Sequence, residues 1–417
     1  MEKLIGTIRI HLPLIVGLLF FLGIILPLKF SISVALLSIP ALLRSRWSLI
    51  LIIPLIGNLW MNLYIKTGKS IDGERIHVVV PSKGMAVIRG EGIFHSRLYP
   101  GEYIVNGMII GDSLIVKRWE RVRKTTPLAE WMDMYIRMHV LYPEDHFMAR
   151  ALFLGMRDKL LPEWKEWFRK SGNYHLLAIS GLHTGIIFLI ISLILSLLYI
   201  PGRWIFFIAS IITGIYGWSI GFPPSVKRAF LFVFLFSIMR LLQRKTPALN
   251  ILGLSMLITL ILDPLEAFRA GFQLSYAATF GILYTFDYSS GSPVNRILLN
   301  PLKVAFSAQI FTTPLLLFHF SNAYPLFFPS SLITVPLTFL IMLNLIYALL
   351  LSPVIQLWAS LHVMIKALLF VVKNVSSVPL PPLQIHINGR MAFSIIALET
   401  LLIFLIKRLL KKFPAKG

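Results

Sequence analysis

The stretch Tyr174-His-Leu-Leu-Ala-Ile-Ser180-Gly-Leu-His183-Thr-Gly185-Ile-Ile-Phe-Leu-Ile-Ile-Ser-Leu-Ile-Leu-Ser-Leu-Leu-Tyr199 contains no Asp, Glu, Lys or Arg. A helix needs roughly 20 such residues to cross a hydrocarbon layer of about 30 Å. Inside a bilayer each backbone group must be satisfied within the protein. The run does not alternate, so a helix, not a barrel strand, does this. Similar runs occur at 11–28, 30–43, 47–65, 204–220, 226–241, 247–262, 271–287, 303–320, 329–351, 354–373 and 391–406. With 174–199 they make about twelve expected spans. The chain is 57% hydrophobic and 14% charged, where a soluble domain carries roughly 25% charged residues. The fold class expected is mainly α, a polytopic integral membrane helical bundle.

There is no cysteine, which excludes disulfides and thiolate metal sites. The run from Leu12 has no small-residue cleavage site and leads into further apolar sequence, so it reads as a first span. A net charge of +22 points either to nucleic acid or to the Lys and Arg that collect in cytoplasmic loops. Location decides between them. Lys3, Arg9, Arg44, Arg46, Arg203, Arg240, Arg244, Lys245 and the tail cations Lys407, Arg408, Lys411, Lys412 and Lys416 all fall inside if both termini are cytoplasmic. That orientation places residues 66–172 outside the cytoplasm.

Five segments follow: N-terminal transmembrane helices (1–65), a small extracytoplasmic all-β domain (66–130), interfacial amphipathic helices (131–172), a transmembrane domain (173–406) and a basic cytoplasmic tail (407–417). Within 66–130, β runs at 75–80, 85–89, 103–110 and 113–119 are punctuated by glycines, and an OB-like barrel is the leading candidate. Its end carries Lys117, Arg118, Arg121, Arg123 and Lys124. Positive-inside bias does not explain basic residues on the outside. Residues 131–170 mix Trp131, Met134, Met138, Trp164 and Trp167 with charges, which suits helices lying on the outer membrane surface.

Polar residues inside spans are costly and so informative. They fall in five sets: His175 with Ser180 and His183; Ser225, Lys227 and Arg228; Asp263, Arg269, Gln273 and Ser275; His319, Ser321 and Asn322; Gln384, His386 and Asn388. The expected orientation puts all five on the outer side, as an outward-facing polar vestibule. On a regular helix His175 and His183 are about 12 Å apart along the axis, too far for one metal. Ser180 and His183 are helical neighbours at i, i+3, and Gly181 with Gly185 makes a G-x-x-x-G step for close packing. The Ser180–His183 pair is either helix-bonding glue or part of an intramembrane serine hydrolase. Arg228 either pairs with Asp263 or Glu266, or meets phosphate in an aqueous path.

Ala151-Leu-Phe-Leu-Gly155, Phe168-Arg-Lys-Ser-Gly172 and the stretch from His175 to His183 resemble the signature of the ComEC family of competence DNA-import channels. Pro224-Ser-Val-Lys-Arg228-Ala and Asp263-Pro264 followed by Gly271-Phe-Gln-Leu-Ser275 resemble its later blocks, in order, and Ala308-Gln309 with Pro314 a further one. The resemblance implies a channel that carries one strand of DNA across the cell membrane during natural transformation. Many members carry a C-terminal metallo-β-lactamase-like domain. The chain given ends at Gly417 without one, so a separate nuclease is expected to degrade the other strand.

In that reading His175, Ser180, His183, Ser225, Lys227, Arg228, Gln273 and Ser275 line the path. Lys117, Arg118, Trp119, Arg121 and Arg123 bind single-stranded DNA, for which a cationic groove with aromatic faces is suited. Phe94, Tyr103 and Trp119 accompany this basic cluster, and at least two of the three are expected in the barrel's own core. No catalytic residue, metal or cofactor is expected. With no Gly-x-x-x-x-Gly-Lys-[Ser/Thr] motif, the expected partners are a DNA receptor protein and a cytoplasmic translocase ATPase, besides membrane lipid. A solute or lipid-linked-substrate permease is the alternative.

Overall fold

The computed structural model describes residues 12–25, 53–66, 71–72, 75–82, 84–88, 92–96, 101–110, 113–121, 126–177, 179–285, 293–351 and 355–412. The expected span at 30–43 lies outside them, as do Arg123, Lys124 and the basic residues at 3, 9, 44, 46 and 416. In chain order the helices are α1 (Leu12–Ile25), α2 (Ile53–Lys66), α3 (Pro127–His139), α4 (Pro143–Leu154), α5 (Pro162–Lys170), α6 (Gly181–Leu197) and α7 (Gly202–Ser219). There follow α8 (Pro224–Leu241), α9 (Ala248–Leu262), α10 (Ala270–Thr285), α11 (Pro293–Phe320), α12 (Phe327–Leu351), α13 (Ile355–Ser377) and α14 (Gly389–Lys412). Every expected span except 30–43 overlaps one of these helices. Among the described residues, Pro329–Leu351, Leu357–Ser377 and Gly389–Arg408 are each long and apolar enough to cross a membrane. Pro13–Leu22, Ile53–Ile65, Gly181–Leu197 and Ala248–Leu262 are shorter apolar helices.

The chain divides into two compact units. The first comprises Met1–Lys124 and Lys245–Gln273. Its strands are β1 (Ile71–Asp72), β2 (Arg75–Ser82), β3 (Gly84–Ile88), β4 (Gly92–Ser96), β5 (Gly101–Ile110) and β6 (Ser113–Arg121). The sheet runs β1-β2-β3-β4-β6-β5, and β2 also pairs with β5. Five strands therefore close on themselves, with β4 and β6 parallel and the other pairs antiparallel. Strand β4 escapes sequence reading because its five residues fall between glycine-rich turns. The wholly buried Val78 stands opposite Tyr103 in backbone register. Helices α1 and α9 cross at glycine: a Cβ on Gly253 would lie 2.1 Å from the Leu14 Cα, and one on Gly17 2.5 Å from the Gly253 carbonyl oxygen. Only a residue without a side chain fits backbone at that separation.

The second unit comprises Thr125–Arg244 and Leu274–Gly417. One apolar cluster holds it together, with Met148 and Leu152 from α4, Phe168 from α5, Ile186 and Ile190 from α6, Leu345 from α12 and Leu361 and Leu368 from α13. Strands β7 (Asn322–Ala323) and β8 (Leu383–Gln384) form a short antiparallel bridge between the loops before α12 and α14.

Candidate nucleic-acid path

The first polar set does not lie on one continuous helix. Residues 173–177 form a 3₁₀ turn, Ser180 is extended at φ −106° and ψ 171°, and α6 begins at Gly181. The cause is tertiary. Asn173 donates to the Ser330 hydroxyl at 2.8 Å and accepts from Thr334 at 3.2 Å. Ser225, at the start of α8, donates to the Ile179 carbonyl at 2.5 Å. A carbonyl bound from outside leaves the helical ladder, and Ser180 becomes the N-cap.

This break changes the relation of Ser180 to His183. They do meet, as residues three apart, but as cap and first turn. The Ser180 backbone N–H donates to His183 Nδ1 at 3.1 Å, and its hydroxyl lies 2.8 Å from the same nitrogen. With Nδ1 accepting, the neutral ring carries its proton on Nε2. His183 is fully buried, and its Nε2 has no hydrogen-bond partner among the described residues. Such a donor costs about 1–3 kcal/mol. A serine–histidine nucleophile of the triad type also has a third group that orients the base through its far nitrogen, and none is present there among the described residues. The geometry fits capping better than hydrolysis.

Helix α8 brings the second set to the first. The Gly181 position lies 3.4 Å from the Ala229 side chain, measured from an added Cβ. Arg228 is buried one turn beyond Ser225, while Lys227 is exposed. The G-x-x-x-G expectation does not hold at its second member, since among the described residues a Cβ on Gly185 would meet nothing within 4 Å. His175 is on the surface, edge-on to the Phe327 ring at 5.4 Å.

In the first unit Asp263, Arg269 and Gln273 of the third set make local bonds. Asp263 caps the 3₁₀ turn Pro264–Phe268 by accepting from the Leu265 N–H at 3.1 Å. The Arg269 guanidinium bonds Glu266 and lies 3.8 Å from Asp263. Gln273 donates to the Ala267 carbonyl at 2.8 Å. In the second unit Ser275, on α10, offers its carbonyl to Thr279. There the fourth and fifth sets join: Asn322 pairs with Gln384, and the Ile385 N–H donates to the Ser321 carbonyl at 3.2 Å. Among the described residues no group of three or more His, Cys, Asp or Glu is arranged to hold a metal.

On β6, Arg118 stands opposite Asn106, Trp119 opposite Val105 and Arg121 opposite Tyr103. Lys117 falls at a register shift in this strand pair. Sequence reasoning missed a buried network in the second unit. Asp133 accepts from Arg150 at 3.0 Å and bonds His146 at 2.8 Å, Arg150 also reaches Asp158 at 3.1 Å, and Asp145 bonds His362 at 2.9 Å. The only signal was the density of acids, His and Arg in an otherwise apolar segment.

Comparison with known proteins accords with these blocks. The chain is 30% identical over 197 residues to ComE operon protein 3 of Bacillus subtilis (strain 168), covering 47% of this chain and 25% of the relative. It is 26% identical over 214 residues to the uncharacterized protein YcaI of Escherichia coli (strain K12), covering 48% of this chain and 28% of that one. The aligned region is thus about a quarter of each relative's length. No solved structure matches. The competence protein family profile matches residues 152–412, which takes in the capped α6, the α8 start and the β7–β8 bridge. On that match the chain belongs to the competence protein family.

Proposed function

We propose that this protein is a cell-membrane channel that passes single-stranded DNA into the cytoplasm during natural transformation. One observation carries the reading. The starts of α6 and α8 meet, and they bring Ser180, His183, Ser225 and the buried Arg228 to one place. Helix N-termini present unbonded N–H groups and the positive end of the helix dipole, which suit phosphate. Guanidinium matches phosphate geometry. Hydroxyl, imidazole and guanidinium groups inside an apolar bundle are what a polyanion path requires.

The remaining assignments follow the same reading. Both termini are cytoplasmic, and residues 66–172 and the polar sets face outward. The closed order β2-β3-β4-β6-β5, with one parallel pair, supports an OB-like barrel. Its β6 residues Lys117, Arg118, Trp119 and Arg121 receive the strand, and Gln273 and Ser275 join the lining. A receptor delivers the DNA, a cytoplasmic ATPase draws it in, and a separate nuclease removes the other strand. The channel itself catalyses nothing.

The test is uptake of labelled DNA by a deletion strain complemented with variants, with protein level in the membrane checked alongside. A charge-assisted contact is worth about 1.5–3 kcal/mol, so Arg228→Ala is expected to lower uptake by roughly 10–100-fold, with Arg228→Lys intermediate. Full uptake by Arg228→Ala at normal protein level would remove Arg228 from the path. Replacing Lys117, Arg118 and Arg121 together by Gln should reduce the salt dependence of single-strand binding by the full chain, by about one unit of slope per lost phosphate contact. An unchanged slope would take β6 out of the DNA-binding surface.

A further inference from the structure

Helix α3 and the turn after it expose large apolar residues, while α4 buries charged residues among its apolar ones. Trp131, Met134, Met138 and Leu141 are 52–63% exposed, whereas Asp145, His146 and Arg150 are 1–6% exposed and each bonded to another side chain. In water the apolar side would face the core and the charges the solvent. Helix α5 keeps that ordinary order, with Trp164 and Phe168 buried and Glu163, Arg169 and Lys170 exposed. There the bonded Arg169 guanidinium holds the Glu166 carboxyl below the usual carboxylate range. A solvent that favours exposed Trp, Met and Leu over exposed charge is hydrocarbon.

Contacts with α13 set the depth. This helix contains one of the three stretches long and apolar enough to span. Near its Ser377 end, Trp167 of α5 lies under the Lys373 ammonium at 5.3 Å. Farther along, Glu144 pairs with Lys366 at 3.1 Å, and the Tyr142 ring meets His362 at 4.3 Å. At the far end His139 stacks on Trp358 at 5.4 Å. Lys373 and Trp358 are about 22 Å apart along a helix axis, most of a hydrocarbon core of about 30 Å. Both outer ends of the pair return to the Ser219 end of α7: Thr126 donates to the Ser219 carbonyl, and the Phe153 carbonyl accepts from Tyr216 at 2.5 Å.

We propose that α3 and α4 form a re-entrant hairpin that dips alongside α13 at least to the middle of the bilayer and presents Trp131, Met134, Met138 and Leu141 to lipid acyl chains. Glu130 and Arg137, also exposed, have stems long enough to carry their charges toward polar surroundings. Glu144 and Lys366 neutralise each other. The inward side of the hairpin then holds a paired polar seam within the membrane, and Gly155, just past α4, touches Ile179 beside the Ser180 cap. The inference stands whatever the bundle conducts.

The absence of cysteine makes the test direct. Nitroxide labels are placed singly on Met138→Cys, Leu141→Cys and Glu163→Cys in the full chain, reconstituted in phospholipid vesicles. Collision with oxygen, which concentrates in hydrocarbon, is compared with collision with a water-soluble nickel chelate. Labels at 138 and 141 should favour oxygen strongly and that at 163 nickel. If 141 matches 163, the hairpin lies on the surface and the proposal falls. Shielding of 138 and 141 from both reagents would mean that protein covers this face, a second copy included, and equally overturns it. Two reporter positions guard against one variant failing to reconstitute.

Discussion

Two polar clusters built from similar residue types behave in opposite ways. The Asp263–Gln273 cluster bonds locally: Arg269 holds two acids, Asp263 caps the following turn, and Gln273 binds a carbonyl six residues back. The Ser180–Arg228 cluster caps a helix and joins two helix starts, yet leaves His183 Nε2 buried with no partner among the described residues. Polarity inside an apolar protein therefore has two uses. One fixes a turn where the chain cannot continue as helix. The other is retained at a cost to stability and is the better marker of a ligand path.

The largest effect that can break this contrast is at Arg269. Removing one member of a partly buried charge cluster leaves the others uncompensated and costs up to about 3 kcal/mol. Arg269→Ala is expected to lower the thermal midpoint of the purified protein sharply, and Arg269→Ala with Glu266→Gln to recover part of the loss. If Arg269→Ala instead leaves stability intact and abolishes DNA uptake, the locally bonded cluster belongs to the path as well. A smaller effect separates the helix packing of the two regions. Gly253→Ala pushes a methyl into the Leu14 backbone and should cost about 1–3 kcal/mol, while Gly185→Ala, with open space around it, should be close to neutral or slightly stabilising. Equal effects at both positions, read by the same melting measurement, would erase the packing difference.

How far the sequence leads differs in the same way between these regions. The apolar runs locate nearly all helices because hydropathy acts over a whole segment. The Ser180–His183 contact is legible because three residues make a local pair. The break before Ser180 is not. No proline marks it, and it depends on Asn173 meeting Ser330 and on Ser225 reaching Ile179, partners 157 and 46 residues away. Strand β4 is missed for a related reason: five residues between glycines gain their pairing only when β3 and β6 flank them. Composition shows that α3 and α4 are amphipathic but not which face is buried, so lying on the membrane surface and dipping into it read alike.

The smallest expected effect is at Ser180, and it bears on what the unsatisfied cluster is for. As an N-cap, Ser180 contributes about 1 kcal/mol through its hydroxyl, and its backbone N–H still orients His183 when the hydroxyl is gone. Ser180→Ala should therefore lower the thermal midpoint slightly and reduce DNA uptake mildly. Ser180→Asp, a good cap that cannot act as the serine nucleophile, should restore stability. A hydrolase predicts the opposite pattern: no function in either variant, and partial function only with threonine. His183→Ala removes the acceptor of the Ser180 N–H together with the buried Nε2 donor, so it should reduce uptake more than Ser180→Ala at comparable stability. If the two variants are indistinguishable in uptake, the imidazole acts only as part of the cap.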